Sequence, residues 1–144
     1  MTKAKRKAIK LQLENLHQNG YHVFVTVQVN GLRCRFLVDT GASKTVVDKT
    51  YVEKKFGKQI VKTIQQQTTG LHSTTHESYT ARLATLGLGT VVIKNCTLAA
   101  IDLSHVNATY ALLKKKKIQG ILGSDLMVRE RMIIDYSTLT ISFA

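Results

Sequence analysis

From Ile9 to Val38 apolar residues recur at every second position. Ile9, Leu11 and Leu13 alternate with Lys10, Gln12 and Glu14, and Val23, Val25, Val27 and Val29 keep the same period. A strand sends alternate side chains to opposite faces, so this stretch predicts strands rather than helices. His17-Gln18-Asn19-Gly20 and Asn30-Gly31 are the turn signals between them, and Asn-Gly suits a two-residue hairpin whose central positions both need positive φ. A third strand, Leu32 to Val38, runs into Asp39. Beyond it a short helix is expected, with Asp48 as its N-cap, Val52 and Phe56 on one face, Lys54 and Lys55 in the last turn, and Gly57 just past the end.

Residues Gln65 to Ser78 are rich in threonine, glutamine, serine and histidine around Gly70, which predicts a polar hairpin projecting from the body. Strand character returns from Tyr79 to Ile101, broken by Gly87 and Gly89, with a hairpin turn expected at Lys94-Asn95. Ser124 is positioned to cap a short helix reaching about Arg131, with Asp125 in its first turn. Two last strands, Met132 to Asp135 and Leu139 to Phe143, flank a turn at Tyr136-Ser137-Thr138. No fixed-period repeat is visible. The chain is expected to be mainly β, with one or two short helices.

Composition narrows this picture. A chain of 144 residues, 44% hydrophobic and 21% charged, fits one globular domain. The basic start is not followed by a long apolar segment, and no run approaches a membrane span, so a cytoplasmic protein without a membrane segment is expected. Cys34 and Cys96 lack metal-ribbon or disulfide-framework spacing and read as reduced core residues. The formal charge of +12 concentrates in Lys3 to Lys7 and in Lys114 to Lys117. Such clusters attract polyanions weakly, or are a solvated tail and loop, since no aromatic residues interleave with them. Residues 1–7 read as the tail and residues 8–144 as the domain.

The chemistry concentrates in Asp39-Thr40-Gly41-Ala42-Ser43, directly after Phe36-Leu37-Val38. A buried strand delivers one carboxylate into a glycine turn, with a hydroxyl neighbour able to hydrogen-bond across. Two carboxylates held close together share a proton, one serving as base on a water while the other donates to a carbonyl. A second element, Ile121-Leu122-Gly123-Ser124-Asp125, puts two branched aliphatics and a glycine before a helix.

Together these motifs, in the order strand, hairpin, Asp-Thr-Gly turn, polar hairpin, Ile-Leu-Gly, helix and strands, resemble the retropepsin-like family of single-domain aspartic proteases. The resemblance runs from about Ile9 to Phe143. It implies a closed or partly open β-barrel with a flap hairpin, and a peptide or protein substrate cleaved without a cofactor. It implies that Asp39 is the catalytic carboxylate, that Thr40 bonds the opposite subunit's loop, and that Gly41 brings its N–H close to the carboxylates. Ile121, Leu122 and Gly123 would pack beneath that loop, and Thr69, Gly70, Leu71 and His72 would form the flap over substrate. Ala42 stands where two-lobed relatives often carry a hydroxyl, which implies an activity optimum nearer neutral pH.

No second Asp-Thr-Gly or Asp-Ser-Gly exists, and Asp48, Asp102, Asp125 and Asp135 lack that context. A symmetric homodimer supplying Asp39 twice is therefore expected. Alternatives are the same fold as a non-catalytic dimerisation or peptide-binding module, and a basic nucleic-acid-associated domain. His72 and His76 lack a third ligand at metal-binding spacing, so no metal is expected. His17, His22 and His105 read as turn or surface residues. Ser43 is not framed by a nucleophile elbow.

Overall fold

The computed structural model describes residues 5–67 and 75–144, with side chains undescribed from 64 to 77. The Asn-Gly and Gln-Asn turns form where the alternation breaks. Strand β1 (Ile9–His17) turns through Gln18 and Asn19, at φ 47 and 61, into β2 (Gly20–Val29). Asn30 and Gly31, at φ 48 and 83, then lead into β3 (Leu32–Val38). Positive φ at both central positions matches the right-handed twist of the flanking strands.

Next come a short β4 (Val46–Asp48), helix α1 (Lys49–Phe56) and a 3₁₀ turn at Lys58–Ile60. Strands β5 (Val61–Gln67) and β6 (Thr75–Leu88) pair antiparallel from Val61↔Ala81 to Gln67↔Thr75. These are the arms of the expected polar hairpin. Its tip, including Thr69, Gly70, Leu71 and His72, lies outside the described residues, as does the His76 side chain.

The hairpin expected at Lys94-Asn95 is instead at Gly89-Thr90, and β7 (Val91–Ile101) runs straight through the asparagine. The local signal at Asn95 is real, because it adopts φ 51. It reverses the inward face within one strand: Val91 and Ile93 are buried before it, Cys96, Leu98 and Ala100 after it. Partner strand β6 switches in step, from Leu86 and Leu88 to Ala81 and Leu83, and the pairing register is unbroken. Gly87 likewise does not break its strand but pairs with Gln28, whose side chain occupies the space a Cβ would need.

Helix α2 (Ser104–Leu112) was not expected, making three α-helices among the described residues rather than one or two. Asp102 Oδ1 accepts from Ser104 N–H at its start, and Val106 and Tyr110, four apart, face the body. Asn107 accepts from Ile118 N–H and donates to Ile118 C=O, so one side chain serves as a strand partner. Strand β8 (Gly120–Leu122), helix α3 (Ser124–Arg129), β9 (Met132–Asp135) and β10 (Thr140–Phe143) complete the chain. Helix α3 ends at Arg129, short of the expected Arg131.

The strands form one sheet in the order β5-β6-β7-β4-β8-β3-β2-β1-β10-β9, and an extra β2–β6 pairing closes six of them, β6-β7-β4-β8-β3-β2, into a ring. Inside it lie Val25, Val27, Val29, Phe36, Val47, Leu83, Leu86, Leu98 and Leu122, all buried. Cys34 and Cys96 are free thiols in this core. A second cluster, Phe24, Leu103, Tyr110 and Ile118, seals α2 against the outer face of β2 and β3. The basic N-terminal segment is tied down from Arg6, which binds the Glu130 carboxylate, and Lys7 N–H donates to Thr90 Oγ1. No described helix is long and apolar enough to cross a membrane.

Candidate active site

Asp39 leaves the end of β3, a strand gripped on both sides. Strand β2 pairs with it antiparallel and β8 parallel, with Leu37 opposite Ile121 and Val38 opposite Leu122. Asp39 N–H extends that ladder by donating to Leu122 C=O at 3.0 Å. The chain then folds back: Gly41 N–H donates to Asp39 Oδ1 at 2.9 Å and Ala42 N–H to Asp39 C=O at 3.1 Å. A Cβ on Gly41 would lie 3.2 Å from that same carboxylate oxygen, so glycine is the residue that lets the N–H approach. Asp39 is half-buried, while Thr40, Gly41 and Ser43 are exposed.

The underside of the loop is built from Ile121, Leu122 and Gly123, from Thr45, which carries no sequence signal, and from Asp125, expected only in the first turn of a helix. Thr45 is buried, and its N–H and hydroxyl both donate to Asp125 Oδ1, at 2.9 and 2.6 Å. The same hydroxyl accepts from Gly123 N–H at 3.0 Å. Ser124 N–H donates to Ala42 C=O at 2.8 Å, and Asp125 Oδ1 also takes Leu126 N–H. A Cβ on Gly123 would come within 2.7 Å of the Lys44 carbonyl and 2.8 Å of the Ala42 oxygen, backbone that cannot swing away. Glycine there permits the close packing of the two loops.

The remaining aspartates are committed elsewhere. Asp48 precedes α1 but does not cap it; its Oδ1 accepts from Leu103 N–H instead. Asp102 holds the start of α2, and Asp125 joins α3 to Thr45 rather than serving the helix alone. Asp135 accepts from Ser137 and Thr138 in the final turn. None of them meets Asp39. Among the described residues no cluster of His, Cys, Asp and Glu is arranged to hold a metal ion.

One wall near Asp39 was missed. His22, expected to be an ordinary surface residue, has its Nδ1 2.8 Å from the Tyr110 hydroxyl, and Tyr110 packs edge-on to Phe24. Burial pushes the Tyr110 hydroxyl up; Arg35 pulls the other way, and the Asp39 carboxylate adds to the rise. Leu37, two residues before Asp39 on the same strand face, packs into this cluster. Only the tertiary fold brings α2 to β2, so neither residue stood out alone.

A search among curated proteins returns no match. Among solved structures, the chain is similar to a retropepsin-like aspartic protease from Rickettsia conorii, at TM-score 0.57 and 19% identity, covering 98% of this chain and 97% of that one. It is also similar to the retroviral protease-like domain of Ddi1 from Leishmania major, at TM-score 0.53 and 16% identity, covering 84% and 92%. At these identities the likeness concerns the fold. The family described as aspartyl protease matches residues 25–126, more than half of the chain, including the Asp39 turn, Thr45 and Ile121 to Asp125. The chain thus belongs to the aspartyl protease family and has its retropepsin-like fold.

Proposed function

We propose that this protein is a homodimeric aspartic endopeptidase whose dyad takes one Asp39 from each subunit. The observation that carries the reading is the contrast among its aspartates: Asp39 is presented at the end of an anchored strand, while the other four are engaged in holding turns and helices. In the assembled site the ionised carboxylate of one Asp39 takes a proton from water, and the water oxygen attacks the peptide carbonyl. The partner subunit's Asp39, protonated, donates to the carbonyl oxygen. Collapse of the resulting diol breaks the C–N bond, and a proton passes to the leaving nitrogen.

Thr40, exposed and without a hydrogen bond among the described residues, is assigned to the contact between the two loops. His22 and Tyr110 are assigned to the wall of the substrate cleft, and Thr69, Gly70, Leu71 and His72 to the flap. The substrate would lie extended between flap and body, using backbone hydrogen bonds along strand edges.

The test is cleavage of a peptide library by wild type and Asp39→Asn. A loss of about a thousandfold or more is expected, the scale of a missing acid–base group. Cleavage that survives the substitution would remove Asp39 from the chemistry. Wild type that dimerises in sedimentation yet cleaves nothing in the library would instead favour the non-catalytic module of the same fold.

A further inference from the structure

A second feature lies on the same face of β3, toward its start. Side chains alternate along a strand, so Arg33, Arg35, Leu37 and Asp39 share one face, and Arg35 lies about 13 Å from Asp39 along it. Arg35 N–H donates to Gln119 Oε1 at 2.7 Å, and Gln119 N–H returns a bond to Arg35 C=O at 2.8 Å. This reciprocal pair fixes the lysine segment against the strand. The result is an open groove of about 540 Å³ with Arg33, Arg35, Lys116 and Lys117 along its sides and the amides of Gln12 and Gln119 among them.

No carboxylate lines this groove. The nearest, Glu14, is taken up by Lys115 at 2.9 Å and, more loosely, by Arg35 at 3.5 Å. Arg33, Lys116 and Lys117 have no ion-pair partner among the described residues. Arg35 stacks 3.9 Å above the Phe24 ring, and its Nε is the only buried side-chain polar atom among the described residues without a hydrogen-bond partner. Four like charges, of which only Arg35 has a carboxylate within reach among the described residues, repel one another, and an arriving anion relieves that cost.

The lining also says which anion. Apart from Cys34 and Thr26 every lining residue is charged or an amide, so the groove offers no apolar pocket to select a peptide side chain. The Phe24 ring is fully buried beneath Arg35 and offers no face on which a base could stack. Guanidinium forks fit phosphate oxygens two at a time, and lysines add point charge. We infer that this groove binds the phosphate backbone of a nucleic-acid strand, without reading its sequence, through Arg33, Arg35, Lys116 and Lys117. The inference goes beyond the peptidase reading and does not rest on it. Occupied this way, the groove leaves the Asp39 loop free.

The test is fluorescence anisotropy of a labelled oligothymidine strand with the full chain. Each phosphate neutralised on a single strand contributes a slope of about −0.7 to log K against log salt. Three to four contacts therefore weaken binding by roughly 20- to 50-fold between about 50 and 200 mM salt. Arg33→Glu combined with Lys117→Glu is expected to weaken low-salt binding by about tenfold or more. Lys62→Glu combined with Lys94→Glu, an equal charge change at exposed lysines away from the groove, should stay within about threefold. Both pairs should melt at the wild-type temperature, since all four side chains are exposed. Equal losses in the two pairs, or affinity indifferent to salt, would overturn the groove. Polyglutamate competing as well as oligothymidine at equal charge would overturn it in favour of an acidic protein segment.

Discussion

The two sides of the Asp39 loop are built on opposite terms. Its underside is closed: the Thr45 hydroxyl, Gly123 N–H and Asp125 carboxylate satisfy one another, and Gly123 leaves no room for a single added carbon. Its upper side is open, with Asp39 half-buried and holding one internal hydrogen bond to its carboxylate, and Thr40 exposed. The closed side fixes where the carboxylate points, and the open side leaves it free for the proposed pairing with a second copy. Stability and function therefore separate between residues only a few positions apart.

The largest expected effect tests the open side: Asp39→Asn should abolish cleavage while the melting temperature stays put, because the amide keeps the shape and the turn. On the closed side, Gly123→Ala should destabilise the fold by about 3 kcal/mol in chemical denaturation, since the methyl group meets backbone on the facing loop. A variant of wild-type stability would mean that the two loops are not closely packed.

Smaller effects sharpen the contrast. Thr45→Val keeps the volume but removes the hydroxyl, leaving Gly123 N–H without its acceptor. A cost of about 1 to 3 kcal/mol is expected, with activity falling only as the loop loosens. Thr40→Val should reverse that order, costing less than about 0.5 kcal/mol in the single chain yet reducing activity through the subunit contact. Equal stability losses at the two threonines would erase the distinction.

The smallest effect lies outside the loop. The hydrogen bond from Lys115 holds the Glu14 carboxyl below its usual range, against some opposing push from burial, and the charges of Lys115 and Arg35 add to the lowering. A lowered carboxyl contributes stability that is fully present above its unfolded value of 4.5 and is lost as pH falls through the lower folded value. Melting temperature against pH should therefore have a flatter acid limb in Glu14→Gln, with cleavage at neutral pH unaffected.

Much of this architecture is legible in the chain because its signals are local. The alternation in β1 to β3, the Asn30-Gly31 turn, α1 between Asp48 and Gly57, and the two motifs around Asp39 and Gly123 each depend on neighbours in sequence. The closed underside is not local. Thr45 looks like any surface threonine until Asp125 arrives from 80 residues away, and Asp125 resembles an ordinary first-turn acid of a helix. Helix α2 hides for a related reason: its serine, histidine, asparagine and threonine are indifferent helix formers, and Val106 and Tyr110 make a face only once Phe24 is beneath them. Asn95 carried a true preference for positive φ, but tertiary pairing turned it into a twist within β7. That Arg33 and Arg35 lie beside the lysine run is not legible in the sequence either, because the segment is held there by the bonds between Arg35 and Gln119, 84 residues apart.

The central claim is that Asp39 works in pairs drawn from two copies. Mixing wild type with Asp39→Asn at constant total concentration, and allowing subunits to exchange, tests it directly. If only pairs of wild-type subunits carry a working dyad, cleavage follows the square of the wild-type fraction and falls to about one quarter at equal mixing. Cleavage that falls in simple proportion, to about one half at equal mixing, would show that a single Asp39 suffices and would contradict the shared site.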